Sequence, residues 1–307
     1  MTSEDDLRLS TELLDAELPD PRFVDNSYLR WLYDENPHGP AIQRHEDENG
    51  VRIGHYAVIP QEYRNADGPT PNVFSLNAVT RTGTQRKGLF TKLGLEIYQE
   101  ATAKGRTFAI GVCNEKSIGA VVKYMGWRNA GPLPVRLCLP FGTGGGTEHH
   151  RVDTAFLAGA RYQQLAAELD VTPARDWTNR YTPTELTWRL SRPHAEYTLH
   201  ADDKLVAISA RDKRFGVPAA VILKLLPRGI RPGPLSARRM IAAVCRFHRA
   251  PYAVYAGWNA KIRVRGIRTP HRLQPSPLYL ILRTFDDRFD QDKLRLDTFE
   301  FFDMDAY

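Results

Sequence analysis

The chain has 307 residues, long enough for two domains of ordinary size, and its 42% hydrophobic content packs a core in each, which excludes global disorder. No run approaches the roughly 20 apolar residues of a spanning helix, the start MTSEDDLRLS is unlike a secretory signal, and Cys113, Cys138 and Cys245 stand far apart in apolar sequence, so buried thiols in the cytoplasm are expected. The net charge of +6 is uneven, acidic before residue 50 and arginine-rich from 224 to 272; because prolines and not stacking aromatics interleave those arginines, solvated faces or an acidic partner fit better than nucleic acid.

Taken in order, SEDDLRLSTELLDAE predicts a helix stopped by Pro19 and Pro21. Asp25-Asn26-Ser27 caps a second helix, YLRWLYDEN, which Asn36-Pro37 ends. Residues 41–45 and 51–59 read as a hairpin around Asn49-Gly50. Gln61 to Pro71 reads as a polar loop, and NVFSLNAVT, Asn72 to Thr80, as a buried strand. After RTGTQRKG, Leu89, Leu93, Ile97 and Ala101 recur every four residues, one stripe of an amphipathic helix closed by Lys104 and Gly105. A strand from Thr107 to Cys113 follows, then a helix from Asn114 to Gly126-Trp127. PLPVRLCLP, Pro132 to Pro140, reads as a closing strand, and the stretch containing GTGGGTEHH as an interdomain linker.

The strand–loop–helix–strand unit from Asn72 to Cys113 sets Gln85, Arg86, Lys87 and Gly88 at a helix start. The first amides of a helix lack intrahelical acceptors and sit at the positive end of its dipole, so they attract an anion. Gly88 lets a phosphate approach the backbone, with two cations beside it. The same residues also read as a solvated turn, since short glycine patterns are weak on their own.

The order of parts adds to that signal. The stretch resembles the GNAT acetyltransferases, in which a strand leads into Gln/Arg-x-x-Gly-x-Gly/Ala at a helix start and a later strand leads through Asn into a helix ending in Gly-aromatic. Here the loop is Gln85-Arg86-Lys87-Gly88-Leu89-Phe90, with Phe90 where the family has a small residue, and the later part is VCNEKSIGAVVKYMGW. The resemblance covers roughly residues 25–135. It implies an α/β (α+β) fold with a mixed, mostly antiparallel central sheet flanked by helices. It also implies an acyl-CoA co-substrate, acetyl-CoA or another, without a metal. Ala78 and Val79 would meet the acyl arm with main-chain groups, residues 85–90 the pyrophosphate, and Asn114 and Lys123 would complete the cofactor set.

The second half echoes the first. Leu29-Arg30-Trp31 is matched by Leu186-Thr187-Trp188, the first hairpin by HADDKLVAI, AIGVCN by AVYAGWN, and Leu133 to Pro140 by PLYLILR. The expected organisation is therefore tandem: a GNAT acyl-CoA-binding domain at 1–142, a linker at 143–153 and a degenerate GNAT-like domain at 154–307. PRGIRPGPL stands where the second copy would need its phosphate loop, and Pro232 and Pro234 lack the amides for one.

The implied reaction moves an acyl group to a primary amine of a small molecule, an amino sugar or specialised metabolite. It needs a base for the amine and an acid for the departing thiolate. His55 and Glu62, ahead of the cofactor strand, are candidates for the base, although His55 between Gly54 and Tyr56 equally reads as structural. Family members place a Tyr about seven residues after the Asn; Val121 stands there, leaving Tyr124 as a weak candidate for the acid. Phe90 and the missing Tyr keep a noncatalytic binding protein open. The arginines between 228 and 249 keep open an acidic acyl carrier protein as donor.

Overall fold

The structure is a computed structural model and describes residues 1–18, 20–83, 88–214, 216–231, 233–274 and 277–304. Helix α1 (Glu4–Glu17) starts at Ser3, whose hydroxyl accepts from the Asp6 amide, and buries Leu7, Leu13 and Leu14 on one face. Helix α2 (Ser27–Tyr33) follows Asp25, whose carboxylate accepts the Ser27 amide at 2.8 Å. Strands β1 (Ile42–Glu48) and β2 (Val51–Asn65) form the expected hairpin, with Asn49 and Gly50 at φ 52° and 76°, a turn that matches the twist of its strands.

Strand β2 continues past Ile59 and pairs with β3 (Gly68–Thr80) from Asn65↔Gly68 onward. The stretch Gln61 to Pro71 is therefore ladder and not the expected loop. Its prolines are tolerated because β3 before Val73 pairs with β2 on one side only. Pro71 turns its outer edge to Thr107, whose amide donates to the Pro71 carbonyl at 3.0 Å.

Helix α3 (Leu89–Ala103) buries the anticipated stripe of Leu89, Leu93, Ile97 and Ala101. Each buried leucine contributes about 1.5–3 kcal/mol. Strand β4 (Phe108–Asn114) lies parallel to β3. Helix α4 (Glu115–Met125) is capped by the Asn114 side chain and ends at Gly126, φ 69°. Strand β5 (Arg128–Pro132), whose RNAGP sequence has no apolar alternation, follows.

The later elements are β6 (Val135–Cys138), β7 (Glu148–Arg151), α5 (Thr154–Ala158), α6 (Ala160–Ala167), β8 (Thr178–Asn179), α7 (Pro183–Leu190), β9 (Thr198–Ala201), β10 (Leu205–Arg214) and β11 (Val217–Pro227). Then come β12 (Leu235–Ser236), α8 (Arg238–Phe247), β13 (Ala253–Asn259), β14 (Ile262–Arg263), β15 (Ile267–Thr269), β16 (Leu278–Thr284) and β17 (Thr298–Glu300). Two mixed sheets result, in the orders β1-β2-β3-β4-β16-β5 and β15-β6-β13-β11-β10-β9-β7, each flanked by helices. This is the tandem α/β (α+β) architecture anticipated from the sequence.

Sheet membership does not follow the expected divisions at 142 and 153. Strand β6 enters the second sheet between β13 and β15, and β16 enters the first between β4 and β5. Each half lends the other its closing strand. Within the expected linker, β7 pairs with β9. In the glycine-rich run before it Gly144 is buried, and a Cβ there would meet the Ala243 backbone nitrogen at 2.7 Å.

Candidate active site

Strands β3 and β4 pair only at Val73↔Ala109, Phe74↔Ile110 and Ser75↔Gly111, then separate. On its other side β3 breaks register with β2: Leu76 faces Ala57 and Val79 faces His55, leaving Asn77 and Ala78 opposite Tyr56 alone. Asn77 holds φ 50°, and its side-chain Nδ2 donates to the Tyr33 hydroxyl at 2.9 Å. The bulge thus frees backbone polar groups of Asn77 and Ala78 along a cleft of about 530 Å³ between the parted strands. Tyr56 and Ser75 lie in it, Cys113 and Asn114 form the opposite wall, and Ser117 and Val121 project from α4.

Helix α3 begins beside this cleft. Its N-terminal residue Gly88 is exposed at φ 94°, a conformation that favours glycine, and among the described residues nothing lies within 4 Å of where its Cβ would be. Among the described residues no side chain caps the helix, and no acid stands in its first turn to offset the positive end of its dipole. Gln85, Arg86 and Lys87 lie outside the described residues. On the near side, the Glu17 carboxylate accepts both the Thr82 amide at 2.8 Å and the Thr82 hydroxyl at 2.7 Å, fastening the end of α1 to the loop that follows β3.

Of the expected cofactor contacts, Ala78, Phe90 and Asn114 line the cleft. Leu89 and Val79 are buried in the packing around it. Lys123 is exposed, and its ammonium lies 5.0 Å from the Tyr124 ring centroid. Phe90 stacks on Tyr56 at 5.5 Å and so forms one wall. The Tyr56 hydroxyl bonds Ser75 at 2.8 Å and Tyr98 at 2.5 Å. Sequence reasoning missed Tyr56, whose only signal was an aromatic on the cofactor-facing hairpin, and it missed the Glu17, Asp20, Arg22 and Met304 rim altogether.

The expected acid and base residues are not brought into the cleft. His55 is 0% exposed, its Nε2 is 2.9 Å from the Tyr33 hydroxyl, and burial pushes its pKa down to about 3. It is a neutral core histidine, which corrects its candidacy as base. Glu62, at the far end of β2, forms an ion pair with Arg180 where β8 joins the sheet. Tyr124 is 58% exposed on the outside of α4, beyond reach of the cleft.

The groups that do line the cleft titrate away from neutrality. Bonds from Thr82 hold Glu17 below the usual carboxylate range. Asp20 is raised by burial but lowered more by its bonds to Arg22. Burial pushes Tyr56 up and the Cys113 thiol to about 11.

The corresponding gap between strands of the second half is occupied by a further strand. There β11 and β13 pair over Ala220↔Ala253 to Ile222↔Tyr255, as β3 and β4 do. Strand β17 then fills the gap by pairing with β13 from Gly257↔Glu300 to Asn259↔Thr298. Lys224 is buried against Asp303 at 2.7 Å and Glu300 at 3.1 Å, and burial pushes the Glu300 carboxyl up to about 7. The cavity beside this cluster is about 30 Å³, and it adjoins a basin of about 320 Å³ lined by Ile230, Pro234, Leu235 and Ala260. Helix α8 starts at Ala237, whose amide donates to the Arg263 carbonyl, so no glycine cradle exists there. Pro232 lies outside the described residues.

No protein-family model matches the chain, and no curated protein matches it significantly. Solved structures do. A conserved protein of unknown function from Enterococcus faecalis, described as a probable N-acyltransferase, aligns over 93% of this chain and 72% of its own with TM-score 0.62 at 10% identity. A tandem GNAT protein from the clavulanic acid biosynthesis pathway aligns over 92% and 95% with TM-score 0.53 at 11% identity. Saccharomyces cerevisiae N-myristoyltransferase, solved with myristoyl-CoA bound, aligns over 92% and 80% with TM-score 0.55 at 8% identity. The chain has the tandem GNAT fold, and its structural neighbours include acyltransferases.

Proposed function

We propose that the chain is an acyl-CoA-dependent N-acyltransferase of the cytoplasm that transfers an acetyl or other acyl group to a primary amine of a small molecule, an amino sugar or a specialised metabolite. The observation that carries the reading is that the parted parallel strands of the first half stay open, beside a bulge at Asn77–Ala78 and a helix start at Gly88, whereas β17 fills the equivalent gap of the second half. Those parts fit an acyl-CoA. The amides that open α3 suit a pyrophosphate, with Gln85, Arg86 and Lys87 joining by sequence. The backbone of Asn77 to Val79 suits the acyl arm. When bound, the thioester supplies an activated acyl carbon.

The residues of the cleft orient an amine more than they deprotonate it. Glu17 and Asp20 are anionic at neutral pH and favour a cationic acceptor at the rim. The proton leaves through water, since His55 and Glu62 do not reach the cleft. Tyr56, whose burial keeps it protonated, lines the cleft together with the Ser75 and Ser117 hydroxyls and would supply the proton to a departing thiolate.

A carrier-protein donor gains no support from two of the arginines that suggested it. Arg238 donates to the Phe141 carbonyl at 3.1 Å and Arg239 to the Gly145 carbonyl at 3.0 Å, so both hold the glycine-rich connection. Release of free thiol from acetyl-CoA over a panel of amines tests the proposal. Turnover with at least one amine is expected; acetyl-CoA binding without release over the whole panel would leave a noncatalytic binder.

A further inference from the structure

A second basin opens at the other end of the second sheet, between the ends of β7 and β10 and the C-terminal end of α8. Its volume is about 670 Å³, larger than the cleft of the first half. Arg151, Arg211 and Arg249 line it from three different elements, are exposed, and form no ion pair among the described residues. Near the same sheet Arg161 is matched by Glu148 and Arg228 by Glu168. Two carboxylates also face the basin. Asp153 is engaged as the cap of α5, accepting the Phe156 amide at 2.7 Å, and Glu196 stands exposed.

At the back of the basin is His248, 7% exposed. Its Nε2 lies 2.7 Å from the Ser209 hydroxyl, while its Nδ1 has no partner in the described protein. Ser209 is also 2.7 Å from His200 Nε2, and His200 Nδ1 is 2.6 Å from His149 Nδ1. Each gap in this chain holds one proton. With neutral rings the protons must all point one way: either His248 shows a bare Nδ1 to the basin, or it shows an Nδ1–H donor and every bond back to His149 is reversed.

We propose that this basin is an anion site, distinct from the acyl-donor cleft, for a phosphate monoester or inorganic phosphate held by Arg151, Arg211, Arg249 and the Nδ1–H of His248. Guanidinium groups suit the oxygens of a dianion, and three of them outweigh the carboxylates of Asp153 and Glu196. The bound anion selects the donor arrangement of His248, which sets the tautomers of His200 and His149.

The test is calorimetric titration of inorganic phosphate at constant ionic strength into the full chain and into Arg151→Gln/Arg211→Gln, with acetyl-CoA titrated separately into both. Saturable phosphate binding in the wild type, weakened at least about tenfold in the double variant, with acetyl-CoA behaviour equal in the two proteins, is the expected result. Nitrogen-15 spectra of the imidazoles add a readout: phosphate moves the His248 and His200 signals toward the other tautomer. Phosphate binding that does not saturate, or that is the same in both proteins, would overturn the proposal. Because acetyl-CoA is measured independently, neither result depends on the acyltransferase reading.

Discussion

Trp31 and Trp188 stack at 4.7 Å with their planes 19° apart, and each indole N–H donates to the other's carbonyl, at 2.9 and 3.1 Å. The relation is reciprocal: the same residue from each copy meets its counterpart. Together with the exchange of β6 and β16, it makes the two halves one folding unit.

Trp188→Ala is expected to destabilise the whole chain by about 3–5 kcal/mol, the cost of emptying a large aromatic site. Urea unfolding followed by far-UV circular dichroism and by tryptophan fluorescence checks this. One coincident transition at lower midpoint is expected; two separated transitions would mean that the halves unfold independently.

Cutting the chain after residue 146 removes β16 from between β4 and β5 and leaves both with open edges. The first piece alone is expected to aggregate, and co-expression with the remainder to give a soluble complex in gel filtration. A soluble monomeric first piece would show that the borrowed strand is dispensable.

Acid stability reports the buried histidines. His55 at about 3 and His248 at about 4 lie below the usual value near 6.5. Below that value the unfolded chain takes up protons that the folded chain refuses, so stability is full above pH 6.5 and falls as pH drops toward the folded pKa. Each such group contributes up to about 1.4 kcal/mol per pH unit. Denaturant midpoints at pH 7, 6 and 5 are expected to fall, and His55→Gln to flatten the slope. The same substitution is expected to leave the shape of the pH–rate profile between pH 5 and 8 unchanged, because His55 does not line the cleft.

Phe90, stacked on Tyr56, narrows the donor cleft. Phe90→Ala is expected to move the preference from acetyl-CoA toward longer acyl-CoAs by about tenfold in kcat/KM. An unchanged ratio across chain lengths would place the acyl group away from Phe90.

Much of this was legible in the sequence for physical reasons. The period-four stripe of α3, the Asn49-Gly50 turn and the Asn114 cap are local, and the Trp31 and Trp188 echo marked an actual contact. What pairs with what is not local. PLPVRLCLP and PLYLILR look like closing strands wherever they go, and nothing in their alternation says that each joins the other's sheet. The polar composition of Gln61 to Pro71 suggested a loop because the one-sided pairing of β3 there was invisible. His55 shows the limit for chemistry: a strand histidine reads alike whether it faces a cleft or a core, and its 0% exposure came only with the fold.

Calorimetric titration of acetyl-CoA into wild type and Gly88→Glu tests the central claim most directly. The substitution sets a carboxylate at a φ of 94° where the first amides of α3 should hold phosphates. Saturable binding by the wild type, with a loss of at least about tenfold in the variant, is expected. No binding by the wild type, or equal binding by both proteins, would contradict the donor site at Gly88 and the acyl-transfer reading with it.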